Sequence, residues 1–386
     1  MQASTTLAID TMYKKMRADG IDVIGFGAGE PDFDTPEHVK EAGIAAIRDN
    51  QTRYTPTPGI VPLRQAAANR LKADFGLNYK PSQIVAASGA KHSLYIALQT
   101  LLNPGDEVIL PAPYWVSYYE LIQMAGGVPV AVLAGEKEGF RLTEAQLEAA
   151  ITGRTKAIIL NNPSNPTGML YGREALEGIA RLCLKHDIYV IADEIYSSLV
   201  YDKQEFVSFA SLGPEIQDLT ILISGVSKSY AMTGWRIGFA ASNQRIADVM
   251  SNYLSHSTAA PSSIAQWAAA AALSGPQEGV LAMRDAFEAR RNYLVERINA
   301  IDGVSCIKPD GAFYVMMNID GLVGKTLHGT LIQDSDDFAK VFLEQGLVAV
   351  VPCTGFGAPN YVRWSYATSM ENIQSGMDRL ERFLAE

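Results

Sequence analysis

Few of this chain's 386 residues are of the kinds that mark a stapled, metal-held or membrane-spanning protein. There are three cysteines and five histidines. Cys183, Cys306 and Cys353 stand far apart, in neither a disulfide framework nor a zinc-site spacing, which points to a reducing compartment. No apolar run reaches the roughly 20 residues that a membrane helix needs. The first residues lack the charged-then-apolar pattern of a secretion signal, so a cytoplasmic enzyme is the expectation. Basic residues are outnumbered: 32 Lys and Arg against 42 Asp and Glu give a formal charge of −10. Nucleic acid and anionic membrane surfaces attract basic faces, so neither is expected as a partner. Low-complexity tracts and internal repeats are missing too.

What is present is an ordinary globular composition, 48% apolar and 19% charged, in a chain long enough for two domains. From Ile84 onward, short apolar runs alternate with helical periodicity. Strands are expected at 84–87, 107–110, 128–132, 156–160, 189–192 and 220–223. Pro129 puts the third of these at a sheet edge or starts it late. Helices are expected at 91–102, 173–186 and 246–255. This alternation predicts the α/β class, with a mostly parallel sheet covered on both faces. After Gly275-Pro276 a long charged helix, about 278–301, leads to shorter strands at 313–317, 347–351 and 362–366. A last amphipathic helix ends at Glu386. The expected division is a large domain of residues 36–275 and a smaller α+β domain of 1–35 plus 276–386.

In an open parallel sheet ligands sit at the carboxyl ends of the strands, so the motifs there matter most. Ser88-Gly89-Ala90-Lys91 follows the first strand and opens a helix; it reads as a phosphate seat or as a plain tight turn. "PAPYWVSYYE" puts Tyr114 and Trp115 at a strand-to-helix junction, where an aromatic either stacks on a planar ligand or only packs. "NNPSNPTG" offers the Asn165 amide on a proline-stiffened turn that also reads as a turn alone. In "IADEIY", Asp193 ends a buried strand, where a carboxylate needs a positive partner. Tyr196 follows one turn on, and Glu194 reads as solvated or helix-capping. "SGVSKSYAMTGWRIG" sets Lys228 among small residues with no charged neighbour before Arg236, an arginine suited to gripping phosphate.

One ligand accounts for the whole set. It has a phosphate for Gly89 and Arg236, a flat ring for Trp115, and a ring nitrogen for Asp193. It also has a ring oxygen for Asn165 and Tyr196, and an aldehyde for the Lys228 amine. That is pyridoxal 5′-phosphate, and a carbonyl cofactor explains why the nucleophile is an amine.

Taken together, "AGEPDFDTPEHV", "RYTPTPGIVPLR", "SGAKHSLY", "NPGDEVILPAPYWVSY", "NNPSNPTG", "ADEIYSSLVY", "GVSKSYAMTGWRIGFA" and "YVRWSYATS" make the chain resemble a known family along nearly its whole length. It is similar to the fold-type I aminotransferases, most closely the bacterial-type aspartate aminotransferases of class I/II. The resemblance implies a seven-stranded, mostly parallel sheet and a homodimer with shared active sites. It implies a Lys228 internal aldimine, Trp115 on the ring, Asp193 on the pyridinium nitrogen, and Asn165 with Tyr196 on the ring oxygen. Arg236, the Gly89, Ala90 and Lys91 amides, and Tyr54 of the neighbouring subunit hold the phosphate by the same likeness. Gly29 and Arg363 seat the substrate α-carboxylate, with Trp115 and Asn165 beside it. Some members carry a phosphate-binding serine three residues before the lysine; here that position is Gly225, with Ser227 as a substitute. An N-terminal arm that many members drape over the partner is expected to be shortened.

The implied reaction is transamination from L-aspartate, or a related dicarboxylic amino acid, to 2-oxoglutarate through pyridoxamine phosphate. The amino acid displaces Lys228, whose freed amine then moves the Cα proton. In this branch the second carboxylate meets Lys91 and Thr6, though Lys91 also reads as phosphate-facing or solvated. Broader specificity toward aromatic amino acids or prephenate, and a lyase on the same scaffold, are the alternatives. His92 is expected to be structural, and no metal site is expected.

Overall fold

The computed structural model describes residues 5–385, with side chains from residue 9 onward. The main sheet contains β1 (Ile84–Ala87), β2 (Glu107–Ala112), β3 (Val128–Leu133), β4 (Thr155–Asn161), β5 (Tyr189–Asp193), β6 (Thr220–Gly225) and β7 (Gly238–Ala241). Their order in space is β1-β7-β6-β5-β4-β2-β3. From β3 across to β6 every neighbouring pair is parallel, while β7 is antiparallel to both β6 and β1. The expected mostly parallel, seven-stranded sheet is present. Its reversed strand, Gly-Phe-Ala-Ala, is too short and too small-residued for alternation to mark it in the sequence.

The central strands β4, β5 and β6 are buried along most of their length, as strands covered by helices on both faces must be. Pro129 lies in β3 at the sheet edge, where a residue without an N–H is tolerated. A second sheet joins β8 (Tyr314–Asn318), β9 (Val351–Pro352) and β10 (Tyr361–Ser365), antiparallel in the order β9-β10-β8. Around it packs an aromatic cluster including Phe26, Phe287, Phe313, Phe342 and Trp364. The long helix Glu278–Asn299 and the last helix Met370–Ala385 feed this cluster. The single strand expected over 347–351 is instead two pieces. Val348–Ala349 pairs in parallel with Ile24–Gly25, and Val351–Pro352 joins β10. The run changes partners at Val350, which apolarity alone does not reveal because Val348, Ala349, Val350 and Val351 are all buried.

The parallel strands deliver their carboxyl ends to one edge of the main sheet, and the reversed β7 starts there. Segments leaving β1, β2, β4, β5 and β6 therefore meet the segment entering β7.

Candidate active site

A cavity of about 440 Å³ opens at that edge. Lys228 enters it three residues after β6, its Nζ donating to the Gly29 carbonyl. The Phe313 and Tyr196 ring centroids lie 5.8 and 6.0 Å from that nitrogen. Burial pushes the Lys228 amine down to about 8; Glu30 opposes the shift, whereas Arg363 and Arg236 reinforce it.

Asp193 closes β5 and is 3% exposed. Its Oδ2 accepts a 2.7 Å hydrogen bond from the Tyr118 hydroxyl, and its Oδ1 one of 3.3 Å from the Ile195 amide. Burial raises the carboxyl to about 6, with Tyr118, the Ile195 amide and Lys228 pulling it back. The Asn161 side chain and the Asn162 amide both donate to the Asp193 carbonyl, which locks β4 to β5 at this edge. The residues after Asp193 form a turn, not a helix. That turn aims the Tyr196 hydroxyl at Tyr314 Oη, 2.9 Å away.

From β10 comes Arg363, which donates to Asn165 Oδ1 at 2.9 Å and to the Gly27 carbonyl at 3.1 Å. Its guanidinium stacks 4.4 Å above the Tyr314 ring. Arg363 Nε is buried and has no hydrogen-bond partner among the described residues.

At the opposite wall Gly89 has φ +86° and precedes helix α1 (Ala90–Leu101). A Cβ at Gly89 would run into the Arg236 guanidinium. Arg236 itself donates to the Thr233 carbonyl at 2.9 Å and the Ser88 carbonyl at 3.2 Å. A helix amino end and a guanidinium thus face the same space, which is an anion seat. Lys91 lies with Nζ 4.7 Å from the Trp115 ring centroid, and burial followed by Arg236 lowers its amine. Trp115 packs edge-on against Tyr118 with centroids 5.3 Å apart.

Of the residues expected from sequence, Gly29, Ala90, Lys91, Trp115, Asn165, Asp193, Tyr196, Lys228, Arg236 and Arg363 line this one cavity. Gly89 stands directly behind Arg236. Tyr54 is not brought in: it is fully exposed. Thr6 falls in the first helix, Thr5–Ala18, but its side chain lies outside the described residues. Glu194 is not solvated. It is 2% exposed and accepts from Ser208 Oγ and the Phe209 amide, capping the short turn that begins there. At Gly225 a Cβ would stand 2.9 Å from both Gly238 Cα and the Ile237 carbonyl, so no serine fits; Ser227 lines the cavity instead. His92 receives the Ser88 amide at 3.3 Å, a structural bond.

Sequence reasoning missed Tyr118, Glu30, Thr233 and Tyr314, all of which line the cavity. The first three lie inside motifs already quoted and were readable there as polar residues at strand ends. Tyr314 sits on β8 in an apolar run and gave no signal.

The profile of the family described as aminotransferase class I and II matches residues 21–380. An aspartate aminotransferase of Geobacillus stearothermophilus is 48% identical over 381 residues, 99% of this chain and 96% of that protein. An aspartate/prephenate aminotransferase of Cereibacter sphaeroides is 46% identical, over 100% of this chain and 97% of its own. Among solved structures, the Thermus thermophilus aspartate aminotransferase with maleate superposes with a TM-score of 0.93 at 41% identity, over 99% of this chain and 97% of that one.

Proposed function

Because this chain belongs to the class I and II aminotransferases, we propose that it transfers the amino group of L-aspartate, or a related dicarboxylic amino acid, to 2-oxoglutarate. The family's cofactor, pyridoxal 5′-phosphate, supplies when bound an aldehyde for an amine and an electron-withdrawing ring for charge at the substrate Cα. The side chains present fit it. The Gly89 turn with Ala90, Lys91 and Arg236 suits the phosphate, Trp115 the ring face, and Asn165 and Tyr196 the ring oxygen. Asp193 suits a protonated ring nitrogen, and Lys228 the aldehyde. The orphaned Nε of Arg363 suits a second anion, the substrate α-carboxylate near Gly29.

The chemistry asked of the chain then divides cleanly. Lys228, lowered to about 8, gives up its proton more readily near neutral pH than an ordinary lysine and moves a proton at Nζ as base and then acid. Asp193 supplies fixed negative charge in a buried place, where such charge acts strongly. Arg363 orients the substrate, and Lys91 receives its second carboxylate; the maleate of the Thermus relative is a dicarboxylate of similar size. The observation that carries this reading is the meeting of an amine, a buried carboxylate and a half-satisfied guanidinium in one cavity.

A wider acceptor range is the second reading, favoured by the name of the Cereibacter relative. The tyrosine-bearing loop at Tyr54, wholly exposed in one chain, supports a homodimer in which it serves the neighbour's phosphate site. The cluster under the second sheet, drawn mostly from residues after 276 together with Phe26, supports the division into 36–275 and 1–35 plus 276–386. No helix among the described residues is long and apolar enough to cross a membrane, and a cytoplasmic setting belongs to the same proposal. The test is aspartate plus 2-oxoglutarate with the purified holoenzyme. Glutamate is the expected product, with prephenate in place of 2-oxoglutarate deciding the second reading. Pyruvate from cystathionine, or no product at all, would overturn both.

A further inference from the structure

Tyr118, on helix α2 (Ser117–Met124), is 2% exposed and belongs to none of the roles above. Its hydroxyl makes the shortest side-chain contact of Asp193, 2.7 Å to Oδ2, leaving Oδ1 to the weaker 3.3 Å bond from the Ile195 amide. From the geometry we infer that Tyr118 is a positioning residue that keeps Asp193 charged and fixes which way its carboxylate faces. The inference rests on the proposed role of Asp193.

The physical argument has two parts. Asp193 sits where burial favours the neutral acid, and without compensation it would take up a proton before it could serve as fixed charge. The groups facing it are few: Tyr118 from α2, Lys228 from beyond β6, and Tyr196 and Glu194 from the turn after β5. Lys228 has other work, and burial makes Glu194 a poor donor of charge; among the described residues Tyr118 is the one neutral side chain that donates to the carboxylate, at shorter range than the Ile195 amide. Burial and the Asp193 charge hold the Tyr118 phenol well above its ordinary value, so it always donates and never competes for the negative charge. Second, the same ring stands edge-on to Trp115, interplanar angle 89°, so one side chain couples the carboxylate to the aromatic platform.

Tyr118→Phe keeps that packing and deletes only the hydroxyl. Infrared difference spectra of the full chain without cofactor, taken over roughly pH 4 to 9, follow buried carboxyls, and Asp193→Asn identifies the Asp193 band by removing it. In Tyr118→Phe this band is expected to titrate about one unit or more higher, since a hydrogen bond to a charged group is lost. Affinity for pyridoxal 5′-phosphate at neutral pH should fall about tenfold by the same count. In the Asp193→Asn background the Phe substitution should change that affinity less than about twofold, which a purely structural role would not predict. An unmoved band, or an equal loss of affinity in the Asn background, overturns the inference. A shifted band with unchanged cofactor affinity supports Tyr118 as the positioning residue and instead defeats the ring-nitrogen role of Asp193.

Discussion

Arg363 and Asn165, 198 positions apart in sequence, share a 2.9 Å hydrogen bond between the second sheet and the turn after β4. The bond holds one side of the guanidinium still while Nε stays buried and unsatisfied. An unsatisfied buried donor costs free energy, and an anionic ligand removes that cost.

Replacing Arg363 should therefore harm substrate capture above all. Arg363→Ala is expected to lower kcat/KM for aspartate on the order of 10²-fold or more, the equivalent of two charged hydrogen bonds. Arg363→Lys should recover little of it, because an ammonium cannot copy the planar fork. Steady-state kinetics decides; full recovery by lysine would mean that only charge is read at this position.

Lys228→Ala should leave a folded chain that binds pyridoxal 5′-phosphate yet scarcely turns over. Loss of a general base alone costs on the order of 10²–10⁴ in rate, and this amine is also the proposed nucleophile. A kcat near that of the unaltered protein would count against the assignment.

For Asp193→Ala the split between rate and binding is the informative quantity. The charge that Asp193 is proposed to stabilise develops mainly in the transition state, so single-turnover Cα deprotonation should slow more than aspartate binding weakens. Unchanged deprotonation with a raised KM would contradict it.

Glu194 offers a pH-dependent test of stability. Its carboxyl is raised to about 8, by burial first, with the Phe209 amide and Ser208 opposing. A folded-state value above the unfolded one means that the folded chain holds the proton more tightly. The stabilisation is complete below about 4.3, the ordinary glutamate value, and drains away as pH rises through about 8. Glu194→Gln stays neutral throughout. Its Tm relative to the unaltered chain should rise by at least about 1 °C between mildly acidic and alkaline buffer, the equivalent of about 1 kcal/mol in a chain of this length. Parallel Tm curves would show Glu194 charged when folded.

Tyr54 tests the shared site. Two inactive variants, Lys228→Ala and a Tyr54→Ala form with a second lesion in its loop, are mixed under conditions of subunit exchange. Each heterodimer then holds one site with both groups intact and should regain about half the activity of a normal dimer. Proven exchange without recovered activity would place Tyr54 in its own chain's chemistry.

Strand ends, glycine turns and lone charged residues were legible in sequence because each is a local matter. A buried strand is an apolar run, its last residue is where polarity returns, and parallel strands all end on one side. That logic located Asp193, Asn165, Trp115 and Lys228 before any pairing was known. Tertiary structure decided what depends on which element lies beside which. The reversed β7, with no periodicity of its own, lies between β1 and β6, and Gly225 and Gly238 face each other there too closely for a side chain. Tyr118 became the partner of Asp193, and Glu194 a buried acid, only when helix and sheet came together. Charge and burial are properties of the surroundings, and a sequence names a residue without its surroundings.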